Sequence, residues 1–388
     1  MEGDHIKINS WLLPLSWLYG QVVRFRNMLF DMGMLKSRAF SIPVISVGNI
    51  TVGGTGKTPH VEYLIELLQN HMKVAVLSRG YKRKTKGHFV ADERSTAREI
   101  GDEPFQIKKK YPNVTVAVNK NRVKGIEQLI TDKDIGAILL DDAYQHRYVK
   151  PGINILLIDY HRLIIYDKLL PAGRLREPLI GKNRADIVII TKCPKGLKPM
   201  EFRIITRAMD FYPYQQLYFT TLEYGSLRPL YNKRGTRTLK EIGKNEHVLL
   251  LTGIASPRQM MEDIAVYTSH LCHLSFPDHH SFRKKDIQRI NSTFADLPSP
   301  KCIITTEKDA ARLEQVDGLS DEVKKNMYVL PVHISFMLDQ ENSFNENIIG
   351  YVRKNSRNSI LAKGKDDNKP KDSNHSGDRP RTISFRNN

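Results

Sequence analysis

Cysteine, tryptophan and acidic residues are all scarce in this chain of 388 residues. Its three cysteines, Cys193, Cys272 and Cys302, lie far apart and form no C-x-x-C pair. They offer no convincing disulfide set and point to a reducing compartment, each reading as a small buried hydrophobe. No secretory signal is expected, because the N-terminus lacks a positive start and a small-residue cleavage site. No internal repeat is present. Asp and Glu number 42 against 60 Lys and Arg, a formal net charge of +18. Such an excess calls for an anionic partner: nucleic acid, a phospholipid surface or a phosphorylated substrate. With no RNP-type or helix-turn-helix pattern, nucleic acid ranks last and is not expected.

What is present begins with Ser46-Val47-Gly48-Asn49-Ile50-Thr51-Val52-Gly53-Gly54-Thr55-Gly56-Lys57-Thr58-Pro59. An apolar β-prone run precedes it, and a helical pattern (Val61, Leu64, Leu67, Leu68) follows. Strand, glycine-rich loop and helix in that order make a phosphate-binding loop, in which backbone N–H groups and the helix N-terminus face a polyphosphate. Thr51, Val52, Gly53, Gly54, Thr55, Gly56, Lys57 and Thr58 are the candidate ATP cradle. Lys57 would reach the β- and γ-phosphates and Thr58 would hold Mg²⁺. The general pattern G-x-x-x-x-G-K-[ST] asks for glycine at position 51, where this chain has Thr51.

Before the loop, Leu15, Leu18, Val22, Phe25, Leu29 and Met32 repeat at helical spacing, with Ser16, Gly20, Arg24, Asn27 and Asp31 opposite. Arg24, Arg26 and Asp31 interrupt the run before the roughly 20 apolar residues of a membrane span accumulate. Two readings remain open: a helix lying in a membrane interface with Trp11 and Trp17 at headgroup depth, or a helix packed on the domain's own core.

After the loop, strands alternate with helices, as in a doubly wound parallel sheet. One strand ends in Ser78-Arg79-Gly80-Tyr81, and another ends in Asp141-Asp142. An apolar strand ending in aspartate, paired with a phosphate loop, is the favoured Mg²⁺ site, with Asp142 as second carboxylate. Residues 215–239 read as a hairpin linker between lobes. Residues 240–353 read as a smaller α/β lobe, with a last strand over 328–334 and a final helix over 342–352. From 354 the chain carries nine Lys or Arg against four Asp, net +5, with almost no apolar periodicity, and is expected to be a disordered basic tail. The expected organisation is thus an amphipathic helix (1–37), a P-loop kinase domain (38–214), the linker, the C-terminal lobe and the tail.

Eight motifs occur in order: the loop Gly48–Pro59, Ser78-Arg79-Gly80-Tyr81, Gly101-Asp102-Glu103-Pro104, Asp141-Asp142-Ala143-Tyr144-Gln145-His146-Arg147, Pro171-Ala172-Gly173-Arg174-Leu175-Arg176-Glu177-Pro178, Leu251-Thr252-Gly253-Ile254-Ala255, Phe276-Pro277-Asp278-His279-His280 and Thr306-Glu307-Lys308-Asp309. Together they resemble the tetraacyldisaccharide 4'-kinase family of lipid A biosynthesis, and Thr51 is in keeping with that family's loop. Ala143-Tyr144, Asn121-Arg122 and Arg174 depart from its usual residues. The resemblance implies ATP and Mg²⁺ as cofactors and transfer of the γ-phosphate to the 4'-hydroxyl of an acylated disaccharide 1-phosphate. It implies Asp102 as proton acceptor with Glu103 assisting, and His279 as a residue orienting a catalytic aspartate or touching phosphate. Residence at the cytoplasmic face of the inner membrane follows from the same resemblance. A P-loop kinase for another sugar and a nucleotide-binding regulatory protein are the alternatives; Thr191-Lys192-Cys193-Pro194 is only a weak shadow of a GTPase base-reading element.

Overall fold

The computed structural model describes residues 8–366 apart from 133, 233–234, 279 and 315. The chain opens with α1 (Leu13–Asp31), whose Pro14 occupies the first turn, where a missing N–H costs nothing. It continues through β1 (Val44–Gly48), α2 (Lys57–Gln69), β2 (Val74–Ser78), β3 (Phe89–Val90), α3 (Ala97–Ile100), α4 (Asp102–Lys110), β4 (Thr115–Val118) and α5 (Arg122–Asp132). Next come β5 (Ala137–Asp141), β6 (Ile153–Asp159), β7 (Ile187–Thr191), α6 (Pro199–Met209) and β8 (Gln216–Tyr224). The second lobe holds β9 (Arg228–Pro229), β10 (His247–Thr252), α7 (Arg258–Ala265), β11 (His270–Ser275), α8 (Lys284–Ala295), β12 (Lys301–Thr306), α9 (Glu307–Leu313), α10 (Asp321–Lys325) and β13 (Met327–Leu330). Then β14 (Val332–Phe336) and α11 (Glu341–Asp366) return to the first lobe.

Nine strands form the first sheet in the order β14-β8-β7-β6-β1-β5-β2-β4-β3. All neighbours from β8 to β4 pair in parallel, and the two edge strands are antiparallel. Every residue of β1, β2, β5 and β7 is buried, which explains why these strands read as unbroken apolar runs: helices cover both faces of a parallel sheet. β1 lies between β5 and β6, so the chain order reverses there, and ligands in such sheets sit at the carboxyl ends of the strands beside that reversal. The second sheet runs β11-β10-β12-β13-β9, parallel except for β9.

Three expectations are corrected. β8 and β9 form no hairpin: β8 is flanked by β7 and β14 in the large sheet, while β9 pairs with β13 in the small one. The single strand expected over 328–334 is divided between the two sheets at Pro331, which has no N–H to continue a ladder. β14 and α11 therefore belong with the first lobe, where Phe344, Ile348 and Val352 join the core packed against α2. Finally, α11 continues to Asp366, into the stretch expected to lack structure. Apolar periodicity ends at Val352, but Ile360, Leu361, Ala362 and Lys363 include strong helix formers and no proline interrupts them. Residues 367–388 lie outside the described residues.

α1 docks by its polar side. Ser16, Gly20 and Phe30 are its buried residues. Ser16 Oγ accepts from the Ala172 N–H at 2.8 Å, Tyr19 donates to the Arg176 carbonyl at 2.8 Å, and Arg26 donates to the Gln145 carbonyl at 3.1 Å. A Cβ at Gly20 would come within 2.7 Å of Leu169 Cδ1. Trp11, Trp17, Leu18, Val22 and Phe25 point the other way, between 57% and 80% exposed. The helix is packed on its own domain, yet its apolar stripe faces outward, the reverse of an ordinary surface helix. No helix among the described residues is long and apolar enough to cross a membrane.

Candidate active site

The phosphate loop leaves the carboxyl end of β1 and feeds α2, whose first residue is Lys57. Gly53 and Gly56 adopt φ of +123° and +80°, a region open to glycine at little cost. Every wall of the loop is tied down. Asn49 donates to Thr55 Oγ1 at 2.9 Å, and Thr191 Oγ1 donates to the Thr55 carbonyl at 3.0 Å. The Val52 N–H donates to the Arg174 carbonyl at 2.8 Å, and the Arg176 N–H donates to the Ile50 carbonyl at 2.7 Å. The proline-rich segment 171–178 is thus the loop's second wall. Lys192 lies 2.6 Å from Asp159 and also donates to the Gly54 carbonyl. His60, one turn into α2, lies between the Gly56 carbonyl (2.8 Å) and Thr220 Oγ1 (3.1 Å), and burial lowers its pKa to about 4. It is neutral, donating through Nδ1 to the carbonyl and accepting through Nε2 from the hydroxyl, an assignment made from the network.

β5 delivers Asp141 and Asp142 beside this loop. Asp141 is buried, and neither of its carboxylate oxygens has a hydrogen-bond partner. Burial, then the charges of Glu103 and Asp142, push its pKa up to about 7 against the pull of Lys57 and Arg122. Asp142 sits at φ +47°, 3.6 Å from Lys57 and 3.4 Å from Arg176. Burial opposes its charge, yet these two cations hold it below the ordinary carboxylate value.

Gly101, at φ +95°, ends α3 and begins α4, where a Cβ would meet the Tyr81 carbonyl oxygen at 3.0 Å. The turn presents Asp102 and Glu103 in the first turn of α4. From the second lobe Arg312 binds Asp102 Oδ2 through Nη2 at 2.7 Å, and Lys308 lies 3.7 Å from Glu103 and 3.1 Å from Asp278. His280 pairs with Asp286 at 2.9 Å and stacks on Phe276. His279 lies outside the described residues.

Between these parts lies a cavity of about 950 Å³. Val52 to Thr58, with Arg79 and Asp142, line one side, and Glu103, Asp278 and Lys308 line another. Tyr19, Val23 and Arg26 of α1 contribute to its wall. Lys57, Thr58, Asp142 and Glu103 line this one cavity, whereas Asp102 and Asp141 are not among its lining residues and Asp102 is held by a residue of the other lobe. A cradle for a polyphosphate, a buried carboxylate whose oxygens accept no hydrogen bond, and Glu103 and Asp278 on the cavity wall are the equipment of phosphoryl transfer.

The family model described as tetraacyldisaccharide-1-P 4'-kinase matches residues 8–353. The chain belongs to that family. It is similar to the tetraacyldisaccharide 4'-kinase of Phocaeicola vulgatus, 57% identical over 363 residues, covering 92% of this chain and 99% of that one. The enzyme of the same name from Bacteroides thetaiotaomicron is 54% identical, covering 93% and 98%. Among solved structures, an apo-form LpxK from Aquifex aeolicus in complex with ATP is 30% identical with a TM-score of 0.66, covering 88% of this chain and 98% of that one. The doubly wound sheet with its smaller lobe is the architecture shared with that family member.

Several residues of the site escaped the sequence reading. Arg176 and Lys308 stand inside quoted motifs, so position in a motif was the available signal. Lys192 stood only in the weak Thr191-Lys192-Cys193-Pro194 element, and His60 and Arg312 carried no signal, because Asp159, Thr220 and Asp102, their distant partners, are met only through tertiary contact.

Proposed function

We propose that the chain transfers the γ-phosphate of ATP to the 4'-hydroxyl of a tetraacylated disaccharide 1-phosphate, giving the 1,4'-bisphosphorylated lipid. One observation carries this choice of acceptor: α1 lines the cavity through Tyr19, Val23 and Arg26 while its apolar stripe faces outward. An acceptor with acyl chains and a phosphate needs that combination, since the chains stay in lipid while the sugar reaches the loop. The enzyme is then a peripheral protein on the leaflet of the inner membrane that faces the ATP pool, with basic surface against anionic headgroups.

In this reading the loop amides and Lys57 hold the ATP phosphates and neutralise charge on the γ-phosphoryl oxygens. Asp102 takes the proton of the sugar hydroxyl; in a loose transition state the proton leaves late, so a carboxylate suffices. Glu103, which lines the cavity, assists Asp102. Thr58, Asp141 and Asp142 would hold Mg²⁺, and the buried, unpartnered oxygens of Asp141 suit a cation. Among the described residues no three His, Cys, Asp or Glu side chains could hold a metal alone, which fits an ion that takes most of its ligands from phosphates and water. Bound there, the ion would supply charge neutralisation to the transferring phosphate.

The test is label transfer from γ-labelled ATP to tetraacyldisaccharide 1-phosphate in mixed micelles. Acceptor-dependent labelling is expected. ATP turnover that ignores the acceptor would favour a nucleotide switch, and equal transfer to a soluble sugar would favour another acceptor class.

A further inference from the structure

Two segments of the smaller lobe, Leu251–Ala255 and Thr306–Asp309, converge on one guanidinium. Asp309 is fully buried. Its Oδ2 accepts from the Gly253 N–H at 2.8 Å and from Thr306 Oγ1 at 2.7 Å. Its Oδ1 accepts from Arg312 Nη1 at 3.0 Å, and the same nitrogen lies 3.4 Å from the Gly253 carbonyl. A Cβ at Gly253 would come within 2.9 Å of Asp309 Oδ1, so a larger residue there displaces the carboxylate. Arg312 is itself buried, and its Nε and Nη2 reach across the lobe boundary to Asp102 Oδ2 at 3.1 and 2.7 Å. Beside it, Glu103 faces Lys308 at 3.7 Å and Lys110 faces Glu307 at 3.6 Å, so α4 and α9 meet through a row of opposite charges.

We propose that Arg312 is a positioning residue for Asp102: the network of Gly253, Thr306 and Asp309 aims its planar fork, and the fork fixes the proton acceptor when the lobes are docked. This rests on the reading of Asp102 as that acceptor. Two hydrogen bonds from one planar guanidinium restrict rotation about the side-chain bonds of Asp102, and a small misplacement of a reacting group costs rate steeply. A buried ion pair is a weak source of net stability, but it is a good source of fixed geometry when every member is hydrogen-bonded. Lysine cannot reproduce it, because one ammonium cannot present a rigid fork to Asp102 while holding Asp309.

The experiment is a double-mutant cycle in the full-length enzyme with the micellar acceptor. Arg312→Gln should lower kcat by ~10²-fold while the KM for ATP stays within about 3-fold. Arg312→Lys should recover little of that loss. In an Asp102→Asn background, adding Arg312→Gln should change kcat by less than about 3-fold, because the group it positions is already gone. Binding of a fluorescent ATP analogue checks the fold of each variant; if Arg312→Gln does not fold, Arg312→Lys, which keeps the charge, runs the same cycle. Equal factors in both backgrounds would overturn the inference and leave Asp102 as acceptor. Near-normal kcat in Asp102→Asn alone would instead overturn the acceptor reading on which it stands.

Discussion

Replacing Asp141 by asparagine should make the ligand-free protein more stable. Asp141 is buried, its two carboxylate oxygens have no hydrogen-bond partner, and its pKa rises from the ordinary 3.8 to about 7. A rise of roughly three units at about 1.4 kcal/mol each sets an upper bound near ~4 kcal/mol for the cost of carrying this charge. Asparagine is still a buried polar group, so about 2 kcal/mol of recovered stability is the expected size. Between pH 4 and pH 7 the native state keeps a proton that the unfolded chain has released, so native stability falls as pH rises through that window. The variant lacks that slope. Thermal unfolding followed across pH should therefore show Asp141→Asn melting above the parent at about pH 8 and level with it near pH 4. Saturating ATP with Mg²⁺ should reverse the order, since a ligand at 100 times its Kd adds about 2.7 kcal/mol to the form that binds it. If the variant melts lower at every pH, Asp141 is a paired structural charge, and the argument from its orphaned oxygens fails.

Lys57→Ala should lower kcat by ~10²–10³-fold and leave the fold intact by circular dichroism; near-normal turnover would remove the phosphate-loop assignment. Leu18→Asp combined with Phe25→Asp alters two exposed positions and should release the protein from anionic vesicles with an unchanged melting temperature. Unchanged vesicle binding would mean that α1 does not face lipid. Gly20→Leu should loosen α1 at a cost of about 1–3 kcal/mol, because its Cβ would already press on Leu169, and limited proteolysis should then cut between α1 and β1.

What the sequence made legible is what local pattern controls. The strands of the large sheet are buried on both faces and so appear as apolar runs; the phosphate loop and Asp141-Asp142 stand at the ends of such strands, and Asp102-Glu103 at the start of a helix after a glycine. What it hid depends on distant partners. β8 looks like half of a hairpin because its true neighbours are β7 and a strand that begins at Val332. The amphipathicity of α1 was plain, but not its sense, since only docking shows that Ser16 and Gly20 turn inward. Arg312 and Asp102 are separated by 210 positions, and nothing near either one announces the other.

The division of the site between lobes has a physical consequence. The hydrogen bonds that brace the phosphate loop come from the first lobe, from Asn49, Thr191, Lys192 and the segment 171–178. Asp102 is different, since the hydrogen bonds from Arg312 reach it from the other lobe. The chain crosses between the lobes at Gly225 and Pro331, which are themselves joined by a hydrogen bond of 3.0 Å from the Gly225 N–H to the Pro331 carbonyl. Away from these two adjacent crossings the lobes meet at a hydrogen bond of 3.0 Å between His161 and Gln259 and along the facing surfaces of α4 and α9, and the latter are charged. High salt should thus weaken the α4–α9 contact more than it weakens the hydrogen-bonded frame of the phosphate loop. Ionic strength should therefore lower kcat before it lowers the affinity for ATP, and a matched decline of both would place the two functions on a single rigid unit.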